Sequence, residues 1–158
     1  MLSIDPVRCD GCKDCEMACA NRKGNASSPS RTRIHIIKGE ENNGFYLPVT
    51  CQHCEDPPCL AVCSNKAIYR DNELGRVMIR RDLCIGCKMC VSACPFGAMG
   101  FDANQGLAFK CDLCDVAPEC VKACQTNALE YVEDHQLNHP RFTCSAEKHY
   151  RVIRSLVR

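Results

Sequence analysis

The chain has 158 residues, a formal net charge of +1 and no tryptophan, and 17 of its residues are cysteine. Without the cysteines, about a third of the residues are apolar, so few residues are available to form a hydrophobic core. No stretch approaches the roughly 18–20 apolar residues of a membrane span, and we expect no leader before the first cysteines. These features disfavour a disulfide-bonded secreted chain, and they favour one or two small domains in a reducing cytoplasm.

Sixteen of the cysteines fall into four groups of four, called here the first to fourth quartets. They are Cys9-Cys12-Cys15-Cys19, Cys51-Cys54-Cys59-Cys63, Cys84-Cys87-Cys90-Cys94 and Cys111-Cys114-Cys120-Cys124. The first and third have the spacing C-x2-C-x2-C-x3-C, which is typical of bacterial ferredoxins that bind cubane iron–sulfur clusters. The second and fourth widen only the middle gap. The pattern predicts four [4Fe–4S] clusters with all sixteen cysteines as iron ligands. The alternative is a zinc-binding structural scaffold, although zinc sites usually use two cysteine pairs.

Along the chain, each quartet predicts a loop that carries three cysteines and a short helix that carries the fourth. Residues 24–32 are a predicted polar loop, and turn residues between apolar segments predict hairpins after the second and third quartets. A helix is expected from residue 145 onward. The predicted strands are residues 33–38, 45–49, 67–69, 76–79, 98–101, 107–109 and 128–132.

The gaps between quartets indicate which of them pair. In two-cluster ferredoxins the fourth cysteine ligates the partner cluster. Only 20 residues separate the second and third quartets, against 31 between the first and second, so we expect the middle two to pair and the outer two to pair with each other. Sequential pairing stays open, because 16 residues separate the third and fourth. The predicted ligand sets are Cys9, Cys12, Cys15 with Cys124; Cys111, Cys114, Cys120 with Cys19; Cys51, Cys54, Cys59 with Cys94; and Cys84, Cys87, Cys90 with Cys63.

This pairing predicts an α+β fold of two nested ferredoxin-like modules. The outer module is residues 1–50 plus 105–142, and the inner module is residues 51–104. Residues 143–158 form a C-terminal helix that either packs on the outer module or docks a partner or a second copy. Four clusters take the formal charge from +1 to about −7, since each cluster with its thiolates contributes about −2. With so thin a core, we expect folding to depend on the clusters.

Two roles are possible for each of several residues near the quartets. Cys144 lies outside every quartet and is expected to be an idle or buried thiol. His53 lies between two cysteines, and we expect a solvent-facing ring rather than a ligand. Lys13, Lys88 and Lys110 adjoin cluster cysteines and are either exposed charges or cations that raise a cluster's potential.

Two roles are also possible for a group of basic residues at the two ends of the polar loop. Arg22, Lys23, Arg31 and Arg33 are expected to be solvated rather than to dock an acidic partner. The sequence contains no phosphate-binding glycine loop, no Ser/His/Asp arrangement and no paired carboxylates that stand out, so we predict no catalytic site.

Three motifs carry a resemblance to a known family. They are Cys51-Gln-His-Cys-Glu-Asp-Pro-Pro-Cys59, Cys84-Ile-Gly-Cys-Lys-Met-Cys-Val-Ser-Ala-Cys-Pro-Phe-Gly-Ala98 and Lys110-Cys-Asp-Leu-Cys114. Residues 5–132 resemble the four-cluster electron-transfer subunits that accompany dimethyl sulfoxide reductase, formate dehydrogenase, carbon monoxide dehydrogenase, hydrogenases and tungsten aldehyde oxidoreductases. The resemblance implies two nested ferredoxin-like modules. Ser64 and Gln125 stand where these subunits often have a proline after the fourth cysteine.

The resemblance also implies partners. The chain is most similar to short soluble members, such as the electron-transfer small subunit of tungsten aldehyde oxidoreductase. The resemblance implies a non-catalytic cytoplasmic subunit that relays single electrons. One partner is a catalytic tungsten or molybdenum subunit, and the other is a flavin- or NAD-linked subunit or a ferredoxin. Carbon monoxide dehydrogenase, formate dehydrogenase and hydrogenase are the alternative catalytic partners. We expect no nucleic acid and no membrane span, and self-association stays open.

Overall fold

A computed structural model describes residues 1–24, 31–39 and 44–132 of the protein. Part of the predicted polar loop at residues 24–32, and residues 40–43 between two of the predicted strands, lie outside the described residues. So do Cys144 and the predicted C-terminal helix.

The described residues form short helices and short strands. The helices are α1 (Asp14–Arg22), α2 (Pro58–Ala61), α3 (Met89–Ala93) and α4 (Glu119–Lys122), and a 3₁₀ turn covers Pro6–Arg8. The strands are β1 (Leu2–Ile4), β2 (Ile34–Lys38), β3 (Tyr46–Thr50), β4 (Ile68–Asp71), β5 (Arg76–Ile79), β6 (Gly100–Asp102), β7 (Leu107–Phe109) and β8 (Leu129–Tyr131). None of these helices is long and apolar enough to cross a membrane.

The strands pair as antiparallel two-stranded sheets. The predicted hairpins β4–β5 and β6–β7 are confirmed, and β2 pairs with β3. The strand β1 was not predicted. It pairs with β8, with Leu2 opposite Tyr131 and Ile4 opposite Leu129, and so brings the start of the chain beside the strand that follows the fourth quartet.

Two hydrophobic cores contain cysteines from different quartets. The first core is Leu2, Cys15, Cys19, Ile34, Cys111, Leu113, Cys120 and Leu129, with Cys124 packed against it. The second core is Cys59, Ile68, Val77, Cys90, Met99 and Ala108, with Cys63, Cys84 and Cys94 packed against it. The first and fourth quartets therefore share one core, and the second and third share the other. Cys51 is the exception, because it packs against the first core.

The helices differ from the prediction in which cysteine they carry. In α2, α3 and α4 the helix contains the third cysteine of its quartet and ends before the fourth. The reason is that the chain turns directly after the fourth cysteine, through left-handed residues at Lys66, Gly97 and Asn127. Only α1 is long enough to include its fourth cysteine, Cys19.

Charge and proline placement explain where the helices start. In α1, Asp14 and Glu16 lie in the first turn and Arg22 in the last, which suits the helix dipole. Pro58 is the first residue of α2, where its missing N–H costs no hydrogen bond. Each start places the third cysteine of the quartet within the first two helical residues.

Candidate iron–sulfur sites

The four cysteine loops share one backbone feature. The residue before the second cysteine has a left-handed φ in all four: +78° at Gly11, +47° at His53, +70° at Gly86 and +60° at Leu113. Non-glycine residues adopt this conformation at a cost, so its presence at His53 and Leu113 indicates that the loop shape is imposed by its surroundings. The four loops therefore share a left-handed turn before the second cysteine, whatever the length of their middle gap.

Glycine is required most strictly in the third loop. A Cβ on Gly86 lies 2.2 Å from the carbonyl oxygen of Gly106, which belongs to the turn between β6 and β7. The first loop has a glycine at the same place, Gly11, where a Cβ lies 2.5 Å from the ring of Tyr46. Both loops are held against a hairpin that covers them.

Backbone amides approach cysteine sulfurs. The amide of His53 donates to Sγ of Cys51 and that of Leu113 to Sγ of Cys111, each at 3.5 Å. The amide of Arg33 donates to Sγ of Cys19 at 3.3 Å. Such N–H···S bonds stabilise negative charge on thiolates that hold iron, so the curled loops suit anionic ligands.

Two cavities are each lined by four cysteines. Cys63, Cys84, Cys87 and Cys90 line the first, with Ile79 and Ile85 among its apolar walls. Cys19, Cys111, Cys114 and Cys120 line the second, with Ile34 and Leu113 beside them. In both cavities the fourth cysteine of one quartet meets the first three of another.

The electrostatics of the thiols place Cys94 beside the second loop. Burial raises the pKa of Cys59 to about 11, and the charges of Cys51 and Cys94 act in the same direction. Burial also raises the pKa of Cys54, and the same two thiolates add to that rise. With a pKa of about 11, the Cys59 thiol holds its proton at neutral pH, so binding of iron must release that proton.

The first and fourth quartets meet where α1 packs against α4. Burial raises the pKa of Cys15 to about 12, with the charges of Glu16, Cys12 and Cys9 adding to the rise. Burial likewise raises the pKa of Cys120 to about 12, and the nearby thiolates include Cys19 and Cys15 of the first quartet. Cys12 and Cys87, the second cysteines of the first and third loops, are exposed.

His53 does not face solvent as the sequence suggested. Its ring is 2% exposed, and its Nδ1 accepts a hydrogen bond from the amide of Val77 in β5 at 3.0 Å. The left-handed φ at His53 turns the side chain under the β4–β5 hairpin. Burial, and then the charge of Lys110, lowers the pKa of His53 to about 3, so the ring is neutral. The spacing of the cysteines did not predict that His53 is buried.

The three lysines beside the quartets differ in burial. Lys110 is 6% exposed, and its Nζ donates to the carbonyl of Cys111 at 2.7 Å. Lys13 and Lys88 are exposed, and Nζ of Lys88 lies 4.4 Å from the ring centre of Phe101. Among the three, only Lys110 is a buried cation beside a cluster cysteine.

The basic group is more ordered than expected. Lys23 pairs with Asp112 at 2.7 Å and Arg31 pairs with Asp102 at 2.8 Å, while Arg33 lies 4.8 Å over the ring of Phe109. The expectation of a solvated group is wrong for these three cations, because acidic and aromatic side chains hold them. Arg22 is exposed, as expected.

The same cations line a cavity of about 190 Å³ that also has Cys111 in its wall. Lys110 and Arg81 lie there too. Asp102 and Asp112 line the cavity as well, but the cations outnumber them. The excess positive charge suits the neighbourhood of a bound cluster, whose core and thiolates together carry about −2.

Within residues 1–24, 31–39 and 44–132, no three His, Cys, Asp or Glu side chains converge to hold one ion. A cubane takes its four thiolates at the corners of a much larger body, so this finding concerns single-ion sites alone.

Comparison with known proteins agrees with this chemistry. Residues 42–134 match the family described as the 4Fe-4S dicluster domain. The probable anaerobic dimethyl sulfoxide reductase chain YnfG of Escherichia coli K12 is 38% identical over 160 residues, which cover 90% of this chain and 78% of that protein. The B subunit of anaerobic dimethyl sulfoxide reductase from the same strain is 39% identical over 145 residues, covering 81% and 70%. The electron transport protein HydN of that strain is 38% identical over 175 residues, covering 95% of each chain.

The shared loop turn, the thiol-lined cavities and these relatives define the class, which is that of iron–sulfur electron-transfer subunits. The chain belongs to the 4Fe-4S dicluster domain family. Its four quartets fit four [4Fe–4S] clusters, and its helices and hairpins are compatible with a ferredoxin-like fold.

Proposed function

We propose that this chain relays single electrons between the catalytic subunit of an oxidoreductase and a second redox partner. The observation that carries the proposal is the pair of cavities lined by four cysteines each, with cysteines of two quartets meeting in both. When bound, each cluster supplies a one-electron change of iron valence. The chain's own contribution is to hold the thiolates, to donate amide hydrogens to sulfur and to shield the sites.

The sixteen iron ligands belong to this proposal, in four sets that exchange their fourth members. Cys63 completes the set of Cys84, Cys87 and Cys90, and Cys19 completes the set of Cys111, Cys114 and Cys120. The two cavities support these two sets. Cys94 completes the set of Cys51, Cys54 and Cys59, and the influence of its charge on Cys54 and Cys59 supports it.

The fourth set joins Cys124 to Cys9, Cys12 and Cys15. Its support is the packing of α1 against α4 and of Cys124 against the first core. Sequential pairing of the quartets has no comparable support in the described residues.

The division into two nested modules is part of the same proposal. The outer module is residues 1–50 plus 105–142, and the inner module is residues 51–104. The two cores follow this division, apart from Cys51 and Ala108 at its edges. The pairing of β1 with β8 also supports it, because it joins the two ends of the outer module.

For the partners, we propose a catalytic subunit with molybdenum or tungsten on one side, and a flavin- or NAD-linked subunit or a ferredoxin on the other, in the cytoplasm. The dimethyl sulfoxide reductase subunits among the relatives support an oxidoreductase complex. The aldehyde oxidoreductase suggested by the sequence resemblance is the first catalytic partner to test.

The test is anaerobic purification of the tagged chain from its own cells, followed by addition of the substrate of the catalytic subunit that accompanies it. We expect the substrate to bleach the cluster absorbance of the complex and to leave that of the isolated chain unchanged, because we predict that catalysis belongs to the accompanying subunit. Turnover of the substrate by the isolated chain, or no bleaching in an active complex, would contradict the relay.

A further inference from the structure

His53 lies in the second loop, between Cys51 and Cys54, and is buried, with 2% of the residue exposed. Its backbone carbonyl and that of Cys54 both accept hydrogen bonds from Arg70, at 3.3 Å and 2.6 Å, which fix the loop against β4. Hydrogen bonds therefore hold His53 both through its backbone carbonyl and through its ring.

The neighbours of the ring decide where its proton lies. Nδ1 accepts from the amide of Val77 at 3.0 Å, and the ammonium of Lys110 lies 3.5 Å from the same nitrogen. Both neighbours are donors, so Nδ1 must be the unprotonated nitrogen. A neutral imidazole then carries its hydrogen on Nε2.

Nε2 is buried and has no hydrogen-bond partner among the described residues. A buried N–H without an acceptor is costly, so a native site normally supplies one. The equivalent position of the fourth loop holds Leu113, which has the same left-handed backbone, is 1% exposed and has no polar side-chain atom. The loop shape therefore does not require a polar ring, and the histidine sets the second loop apart from the fourth.

We propose that Nε2–H of His53 donates a hydrogen bond to a sulfur of the cluster held by Cys51, Cys54, Cys59 and Cys94. This rests on the proposed iron–sulfur function. Cluster sulfurs are acceptors, and hydrogen bonds to them raise the reduction potential. His53 is then a positioning and tuning residue, which makes this cluster easier to reduce than it is with an apolar side chain at the same place.

The buried ammonium of Lys110 acts on the same site. Its Nζ lies 3.5 Å from Nδ1 of His53, and both residues are buried. Its charge favours the reduced cluster without requiring a direct contact. His53 supplies the directional contact that Lys110, engaged with the carbonyl of Cys111, does not.

The variant His53→Leu copies the fourth loop and removes the donor, and His53→Gln keeps an N–H at similar reach. The matched control is His35→Leu, in β2 and outside the loops. All are purified anaerobically and titrated with EPR detection. We expect one of four potentials to become more negative in His53→Leu, to recover in part in His53→Gln, and to stay unchanged in His35→Leu.

Iron and sulfide content separates this proposal from the one on which it rests. Four clusters in His53→Leu with all potentials unchanged, or with all four shifted alike, overturn the role of His53 alone. A wild-type chain without clusters overturns the proposed function itself.

A second readout needs no variant at position 53. The wild-type chain is labelled with ¹⁵N-histidine, reduced, and examined by pulsed EPR. We expect a nitrogen coupling on one cluster that His35→Leu retains. Its absence in the wild type, which a buried water as the acceptor produces, overturns the proposal.

Discussion

Removing the iron anaerobically with a chelator is expected to unfold most of the chain. Among the described residues, six of the eighteen buried hydrophobic residues are cysteines and four are alanines, so few large side chains remain to hold a core. The strands are at most five residues long and form separate two-stranded sheets, which are marginal on their own. Each cluster ties distant parts of the backbone together, and its loss removes that restraint.

Far-UV circular dichroism and a thermal melt measure this effect. We expect the signal of the folded chain to be mostly lost after iron removal and to return on reconstitution with iron and sulfide. A chelator control in which the iron is retained should keep both the spectrum and the transition. Strong circular dichroism and a cooperative melt in the iron-free chain would show that the apolar residues are enough to fold the chain without clusters.

Pairs of cysteine substitutions are expected to reveal which quartets exchange ligands. Cys54 and Cys94 belong to one proposed ligand set, so Cys54→Ala with Cys94→Ala should remove one cluster, a loss of about four irons per chain. Cys54 and Cys19 belong to different sets, so Cys54→Ala with Cys19→Ala should remove two clusters and about eight irons. Each single variant should lose one cluster.

The two pairs exchange their outcomes under the alternative pairing. If quartets pair in sequence, Cys19 joins the second loop, and the Cys54/Cys19 pair then loses one cluster while the Cys54/Cys94 pair loses two. If both pairs lose two clusters, neither exchange holds. Iron analysis and EPR spin counts on the three single and the two double variants distinguish these outcomes.

The local elements of this fold were largely predictable from the sequence. The turn residues between β4 and β5 and between β6 and β7 lie close to their strands, so both hairpins were predicted. The strand β1 was missed because no turn joins it to a neighbouring strand, and its partner β8 lies more than a hundred residues away. Long-range pairing of that kind leaves no local signal.

The chemistry of the site was predictable, but the environment of individual side chains was not. Cysteine spacing predicted the cluster type because a cubane imposes that spacing on the chain, and the ligand sets drawn from it stay a prediction. The same spacing does not report on burial, and it placed His53 in solvent when the hairpin above it encloses the ring. The burial of Lys110 was also undetermined, because its position at the end of β7 becomes interior only when the fourth loop packs.

The most direct test of the account is an anaerobic reductive titration of the purified chain, together with its iron and sulfide content. The account predicts about sixteen irons, about sixteen sulfides and about four electrons taken up per chain, at potentials near the −400 mV typical of ferredoxins. A colourless protein that contains zinc, or a chain that takes up no electrons above −700 mV, would contradict it.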